Sequence, residues 1–415
     1  MQVLFTASYP FCVAAEQTFL DLEIEYLVKA FDRVVLVPRN REGARLPVPA
    51  GVEVEESYSS LLNSANKLIA GARAFFSPHF YGDLFIRPSL LYQPTALMRL
   101  FAFLGGAILT QRWVEAWIER EMVDTSQAIF YTYWFDQAAM GIGLAKKRYP
   151  RIALVSRAHG YDLYEEVYDL PFWPCRRAAL AFLDGLFPDS EAGTRYLKTR
   201  YPDFSPLYET ARLGVSDPGF LSRPSRDKIF RIVSCSMIRP VKRVDLLLEG
   251  VACVARMRLE QCFEWRHFGD GERRGALQTR ADATFPPNAR GFLPGYTNQE
   301  DLLRTYRDDP IDVFINVSES EGTPVSVMEA ISCGIPIVAT AVGGNAEIAS
   351  EQNGLLLSPN PKPEEIAEAF LKLLDNPELA AAKRKGSRGV WQERYNANDN
   401  FQAFADRLKA IRQSE

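Results

Sequence analysis

Two glutamates, Glu321 and Glu329, stand eight positions apart in DVFINVSESEGTPVSVMEAISCGIPIVATAVGGN, the stretch from Asp312 to Asn345. Between them Thr323 can cap a helix that opens with Pro324, whose missing N–H costs nothing at the first helical position. The amides of Val325 and Ser326 would then point outward at the positive end of that helix, a ready place for a phosphate. Glu321 falls in the loop beyond a strand, and Glu329 in the second turn, about 8 Å from the helix start. A carboxylate, anion-binding amides and a second carboxylate suit a ligand built of sugar, phosphate and ribose. The plainer alternative is a surface turn with two solvated carboxylates.

Other chemistry-bearing residues fall at similar places. SCSMIRPVKRVDLLLEG (Ser234 to Gly250) runs from a strand end through a loop into a helix and carries Arg239, Lys242 and Arg243. Cations there could stabilise a phosphate as charge builds on it, or could simply be solubilising. HFGDGERRGAL (His267 to Leu277) is a tight turn in which Gly269 and Gly271 permit close backbone approach of a nucleotide, with His267 a strand residue. SRAHGYDLYEE (Ser156 to Glu166) ends a strand with His159 beside Arg157, Asp162 and Glu165, candidates for ligand contacts at a strand's C-terminal end. In SYPFCVAAEQTF (Ser8 to Phe19), Glu16 orients an acceptor or only sits in a helix's first turn. Gly343 and Gly344 allow a turn toward a ligand, and Glu347 stabilises the helix that follows.

The elements that must position these residues alternate regularly in the second half of the chain. Strands are expected at Phe230 to Ser236, Cys262 to Gly269, Gly291 to Leu293, Asp312 to Val317 and Ile335 to Thr340. Helices separate them at Arg243 to Met257, Arg273 to Ala283 and Asn298 to Arg307, and Gly334 supplies the left-handed stop after Cys333. Such alternation is the grammar of a doubly wound parallel sheet. The first half suggests a second one: MQVLFTAS, a helix from Glu16 to Phe31, RVVLVPR, QAIFYTYW, RIALVSRAHG and LAFLDGLFPDS. The polar stretch SRPSRDK (Ser222 to Lys228) is a plausible hinge.

A chain of 415 residues with 47% hydrophobic and 24% charged residues fits two globular domains. A net charge of −4 gives no reason to bind nucleic acid. Six cysteines without paired spacing and three histidines argue against zinc and for buried free thiols in a reducing cytoplasm. The first residues read as a strand rather than a signal peptide. Residues 60–120 break the alternation as a helical insertion with six basic residues against three acidic ones. The apolar run Leu100 to Leu109 is far short of the ~20 residues of a membrane span. The insertion either covers the sheet or acceptor cleft, or lies at a membrane interface with its basic groups toward anionic lipid.

The Asp312–Asn345 stretch closely resembles the Glu–seven–Glu motif of retaining glycosyltransferases of family 4 (glycosyl transferases group 1), which have the GT-B fold. The resemblance implies an α/β architecture of two Rossmann-like doubly wound domains facing across a cleft: an N-terminal acceptor-binding domain over 1–218, a C-terminal nucleotide-sugar domain over 219–392, and a final helix within 393–415 returning to the first. It assigns Glu321 to the donor sugar, Glu329 to the ribose, and the turn Thr323, Pro324, Val325 and Ser326 to the diphosphate. Lys242 matches the family's lysine against the diphosphate. The family's arginine has Ser236 or Met237 in its place, so that Arg239 or Arg243 supplies the second charge. His159 matches the family histidine, and Ala14 and Ala15 stand where a Gly-Gly turn is usual. The implied activity is retaining, metal-independent transfer from a nucleoside diphosphate sugar to a glycan or lipid-linked acceptor in bacterial polysaccharide biosynthesis. It needs no cofactor and takes place in the cytoplasm or at the inner face of the membrane. A phosphorylase or epimerase of the same fold, or a binding or scaffold protein with a decayed site, are the rival readings.

Overall fold

The computed structural model describes residues 1–11, 14–62, 64–167 and 171–413. The chain divides into two compact units, Met1–Arg212 with Phe401–Glu415, and Leu213–Asn400. In the first unit six strands form one parallel sheet: β1 (Gln2–Ala7), β2 (Arg33–Pro38), β3 (Val52–Val54), β4 (Ala128–Thr132), β5 (Ala153–Ala158) and β6 (Gly185–Pro188). Their order is β3-β2-β1-β4-β5-β6. The second unit repeats the arrangement with β7 (Ile229–Cys235), β8 (Cys262–Phe268), β9 (Ala289–Gly295), β10 (Val313–Asn316), β11 (Ile337–Thr340) and β12 (Gly354–Leu357). Its order, β12-β11-β10-β7-β8-β9, is the same doubly wound pattern.

This order decides where a ligand can sit. Strand order reverses between β1 and β4 in one sheet and between β7 and β10 in the other. Loops leaving the C-terminal ends of these neighbours run to opposite faces of the sheet and open a crevice between them. In the second unit those two loops carry Lys242 and Glu321. In the first, Tyr133 and Trp134 follow β4, and His159 follows the adjacent β5.

The strands form because their apolar runs are covered on both faces. All residues of β4, β5 and β10 are buried. One face of the first sheet is covered by the long helix Pro94–Arg120, which buries Leu100, Leu104, Trp113 and Trp117 against Leu4, Val35 and Phe130. Each such side chain contributes about 1.5–3 kcal/mol. The run Leu100 to Leu109 is therefore mostly core, and no helix among the described residues is long and apolar enough to cross a membrane. The shorter helices before it and the turn between them behave differently: Phe76, Phe85 and Tyr92 are each almost fully exposed. The other face of the sheet takes the final helix, Ala397–Gln413, whose Phe404, Leu408 and Ile411 pack with Phe5, Tyr131 and Phe187.

Two details depart from the sequence expectation. The helix after Glu321 starts at Val325, with Pro324 in the capping position in an extended conformation, so Pro324 caps the helix rather than being its first residue. The edge strands β3 and β12 were not expected. The expected strand at Gly291 to Leu293 extends over Ala289–Gly295. Gly334 does take the left-handed conformation, at φ 71°. The described cysteines are all free, Cys175 and Cys333 buried and Cys262 exposed, while Cys12 lies outside the described residues.

Candidate functional site

Glu321 stands at the centre of a built network. Its Oε1 accepts from Lys242 Nζ at 2.6 Å, Ser318 Oγ at 2.6 Å and Asn316 Nδ2 at 3.0 Å. Asn316 ends β10, and its Oδ1 accepts from the Ser318 amide at 2.9 Å, which turns its amino group toward the glutamate. Asn345 Nδ2 supports the same Oδ1 at 3.2 Å, and Thr340 Oγ1 donates to the Ser318 carbonyl at 2.7 Å. All three bonds to the carboxylate fall on Oε1; among the described residues none is made to Oε2. The Glu321 side chain is 8% exposed and Lys242 22%. A carboxylate fixed on one oxygen and open on the other is a pre-aimed hydrogen-bond acceptor.

The helix Val325–Ser332 follows at once. The amides of Val325 and Ser326, in its first turn, have no intrahelical acceptor and mark the positive end of the helix. One turn on, Glu329 is buried, and its Oε1 accepts from Gln299 Nε2 at 2.7 Å. Burial pushes its carboxyl up to about 7, opposed by the bond from Gln299.

The remaining candidates of this unit sort differently from expectation. The Arg243 guanidinium donates to the carbonyls of Val317, Ser318 and Pro359 and to Asn360 Oδ1. It holds the Glu321 loop in place and is not a spare cation. Arg239 is exposed and makes no ion pair among the described residues. Gly269 and Gly271 do provide room, but protein fills it: a Cβ would lie 1.9 Å from the Ser236 carbonyl oxygen or 2.5 Å from that of Ile238. Gly343 and Gly344 likewise face the motif loop, where a Cβ would meet the carbonyl oxygens of Glu321 at 1.9 Å and Gly322 at 2.1 Å. His267 is buried between Ser234 Oγ and the Ser236 carbonyl, and burial lowers it to about 4, so it is neutral. Glu347 sits in the first turn of the short helix Asn345–Ile348.

In the first unit His159 is packed between aromatic rings, 4.5 Å from Tyr133 and 4.5 Å from Trp134 between centroids. Trp134 in turn lies 4.8 Å from Tyr161, which is 43% exposed. His159 is 7% exposed, and among the described residues neither ring nitrogen has a hydrogen-bond partner. Asp162 orients this corner by accepting from the amides of His159 at 2.7 Å and Phe135 at 2.8 Å. Its carboxylate is thereby spent, and it is fully buried. Arg157 is fully buried too: it bonds Glu23 at 3.2 Å and the Ala211 carbonyl at 2.6 Å, under the Phe404 ring. Glu165 is buried against Arg87, Arg200 and Tyr201. All three are buried and spend their polar groups on partners within the protein, which for Arg157 and Glu165 come from distant segments. The side chains of Ala14, Ala15 and Glu16 lie outside those described.

The sequence reading missed Asn316, Ser318, Thr340 and Asn345 around Glu321, and Tyr133, Trp134 and Tyr161 around His159. Asn316 carried one usable signal, a polar residue closing an otherwise apolar strand.

Comparison with known proteins fits this geometry. Residues 222–389 match the family model described as glycosyl transferases group 1. A relative from Streptococcus agalactiae, the GtfA subunit of UDP-N-acetylglucosamine–peptide N-acetylglucosaminyltransferase, is 26% identical over 254 residues, 56% of this chain and 47% of that protein. The amylovoran biosynthesis glycosyltransferase AmsK of Erwinia amylovora is 25% identical over 48% of this chain and 50% of its own length. The chain thus spans about half the length of these curated relatives. Among solved structures, the lipopolysaccharide outer core galactosyltransferase WaaB superposes with a TM-score of 0.68 over 98% of this chain and 100% of its own, at 15% identity. Anabaena HepE in complex with UDP gives 0.64 over 99% and 100%, at 16% identity. Residues 222–389 thus resemble a group 1 glycosyl transferase domain, and the chain as a whole has the GT-B fold.

Proposed function

We propose that this chain moves a sugar from a nucleoside diphosphate sugar to a hydroxyl of a glycan or glycolipid, with retention at the anomeric carbon and without a metal ion. The observation that carries this reading is Glu321, fixed through Oε1 and open at Oε2, on the loop at the switch point of the second sheet. Oε2 accepts from hydroxyls of the donor sugar. The amides of Val325 and Ser326 take the diphosphate, with Thr323 and Pro324 shaping the turn, and Glu329 takes the ribose hydroxyls. Lys242 is shared between Glu321 and the diphosphate and stabilises the charge that builds on the leaving group. Arg239 is the second cation.

The acceptor hydroxyl attacks the anomeric carbon from the face the diphosphate leaves. The bond to the phosphate oxygen breaks with its electron pair, and the hydroxyl proton passes to a phosphate oxygen. No side chain need gain or lose a proton, which suits a site whose carboxylate is held by a lysine. The first unit binds the acceptor, with His159 and the Trp134–Tyr161 aromatic surface offering an imidazole and a stacking face to sugar rings. HepE and pneumococcal GtfA are both known bound to UDP, which supports uridine as the base. Relatives acting in amylovoran and lipopolysaccharide synthesis support a bacterial surface polysaccharide as product. The free thiols support a cytoplasmic location.

The test is the unfolding midpoint with UDP, GDP, ADP and CMP at matched concentration, since only a ligand of the folded state raises it. UDP is expected to raise it, with or without EDTA. Glu321→Gln should keep that rise and lose about 10²–10³-fold or more in turnover. NMR of the product should give the donor's anomeric configuration. Unchanged turnover in the variant, or an inverted product, would overturn the reading.

A further inference from the structure

A second cavity, of about 230 Å³, lies within the first unit and plays no part in the chemistry above. Its walls include four arginines, Arg87, Arg176, Arg177 and Arg200, against two carboxylates, Asp83 and Glu165. Glu165 is committed, to Arg87 at 3.0 Å, to Arg200 at 3.3 Å and to Tyr201. Asp83 accepts from the Cys175 amide at 2.6 Å. Counting Asp203 as well, which pairs with Arg177 at 2.5 Å, the arginines still exceed the carboxylates by one.

Arg176 is the informative member. It is 3% exposed, yet among the described residues its Nε and Nη1 have no hydrogen-bond partner, and its Nη2 donates only to the Asp162 carbonyl. Its guanidinium lies 4.6 Å from the ring centres of both Phe135 and Trp173. The nearby Asp162 and Glu165 carboxylates accept from other donors, so this buried cation has unused donors to offer an anionic ligand at the cavity wall. The rim adds a second feature. Ile86 lines the cavity and is 59% exposed, its neighbour Phe85 is 89% exposed, and Tyr92 on the next short helix is 87% exposed.

We propose that this cavity is a phosphate site, and that its occupant is the phosphate head of an amphiphile whose apolar part lies on the exposed side chains at the rim. Arginine suits the role because its planar fork meets phosphate oxygens in pairs. The site is independent of sugar transfer, and its tests read binding alone.

Co-flotation of the full chain with phosphatidylcholine vesicles, with and without phosphatidic acid, tests the lipid source; inorganic phosphate and pyrophosphate at matched ionic strength test the soluble one. Arg177→Gln with Arg200→Gln removes two partly exposed cations without touching the buried Arg176, so the fold is preserved. Capture by phosphatidic acid that phosphate competes away, and that is about tenfold or more weaker in the double variant, supports the proposal. A rise in the unfolding midpoint with phosphate, lost in the variant but without vesicle capture, keeps the phosphate site and overturns the amphiphile. Vesicle capture indifferent to phosphate and to the variant assigns it to the exposed aromatics and overturns the site, as does the absence of any response. The unfolding midpoint with UDP separates these results from a failure of the donor site.

Discussion

Lys242 and Glu321 lie 79 positions apart and meet at 2.6 Å because each leaves the C-terminal end of one of the two strands flanking the switch point. In the proposed reaction the pair would hold the lysine near the diphosphate and leave Oε2 of Glu321 for sugar hydroxyls. Glu329 is under the opposite constraint. Burial raises its carboxyl from 4.5 to about 7, so the folded protein binds a proton there that the unfolded chain has released. Its contribution to stability is therefore complete below about 4.5 and is lost as pH rises through about 7, an effect of at most about 3 kcal/mol. Ribose hydroxyls donating to this carboxylate would favour its ionised form, so nucleotide affinity should rise across the same window, with proton release on binding. Calorimetry in buffers of different ionisation enthalpy checks the release, and denaturant unfolding checks the stability. Glu329→Gln should flatten both profiles. A variant that follows the parent in pH dependence would remove Glu329 from the ribose role.

At the scale of elements, the site depends on turns that press on one another. Gly344 has an ordinary helical backbone, yet a Cβ there would lie 2.1 Å from the Gly322 carbonyl oxygen, and its amide donates to that oxygen at 2.9 Å. Gly344→Ala must push the Glu321 loop aside. Misplacement by about 1 Å costs on the order of 10²-fold in rate, so turnover should collapse while UDP still shifts the unfolding midpoint. Gly389→Ala, in a helix with open space around the position, should leave activity intact and stabilise by roughly 0.5–1 kcal/mol. Equal turnover in both variants would separate the turn from the site. The same geometry explains how far the sequence could be read. The long apolar strands and the Glu321–Glu329 spacing were legible because they are local patterns. The edge strands β3 and β12 were not, being short and, in VEV and GLLL, without a recognisable period. Gly269, Gly271, Gly343 and Gly344 announced close approach, but not whether ligand or protein fills the space. Arg157 and Glu165 looked available because their partners Glu23, Arg200 and Tyr201 are remote in sequence.

At the scale of the whole molecule, the family match at residues 222–389 falls on the second unit, while the acceptor would be chosen by the first. That first unit is not finished until the chain has passed through the second and re-entered it at Phe401. Phe404 then packs against Tyr131 and Phe187, at 5.5 and 5.2 Å between ring centres, and covers the Arg157 guanidinium at 3.9 Å. Arg157 needs this cover, since among the described residues its Nη2 has no partner and its ion pair with Glu23 lies in the core. Phe404→Ala would open a cavity beside a buried charge pair, at a cost of about 3–5 kcal/mol or more. Each unit has its own core, so the loss should be confined. Hydrogen exchange should quicken in β1, β4 and β5 and stay unchanged in β7 and β10, where UDP should still add protection. Loss of protection spread evenly over both sheets would mean that the two cores unfold as one, and that the final helix stabilises the entire chain rather than the acceptor unit alone.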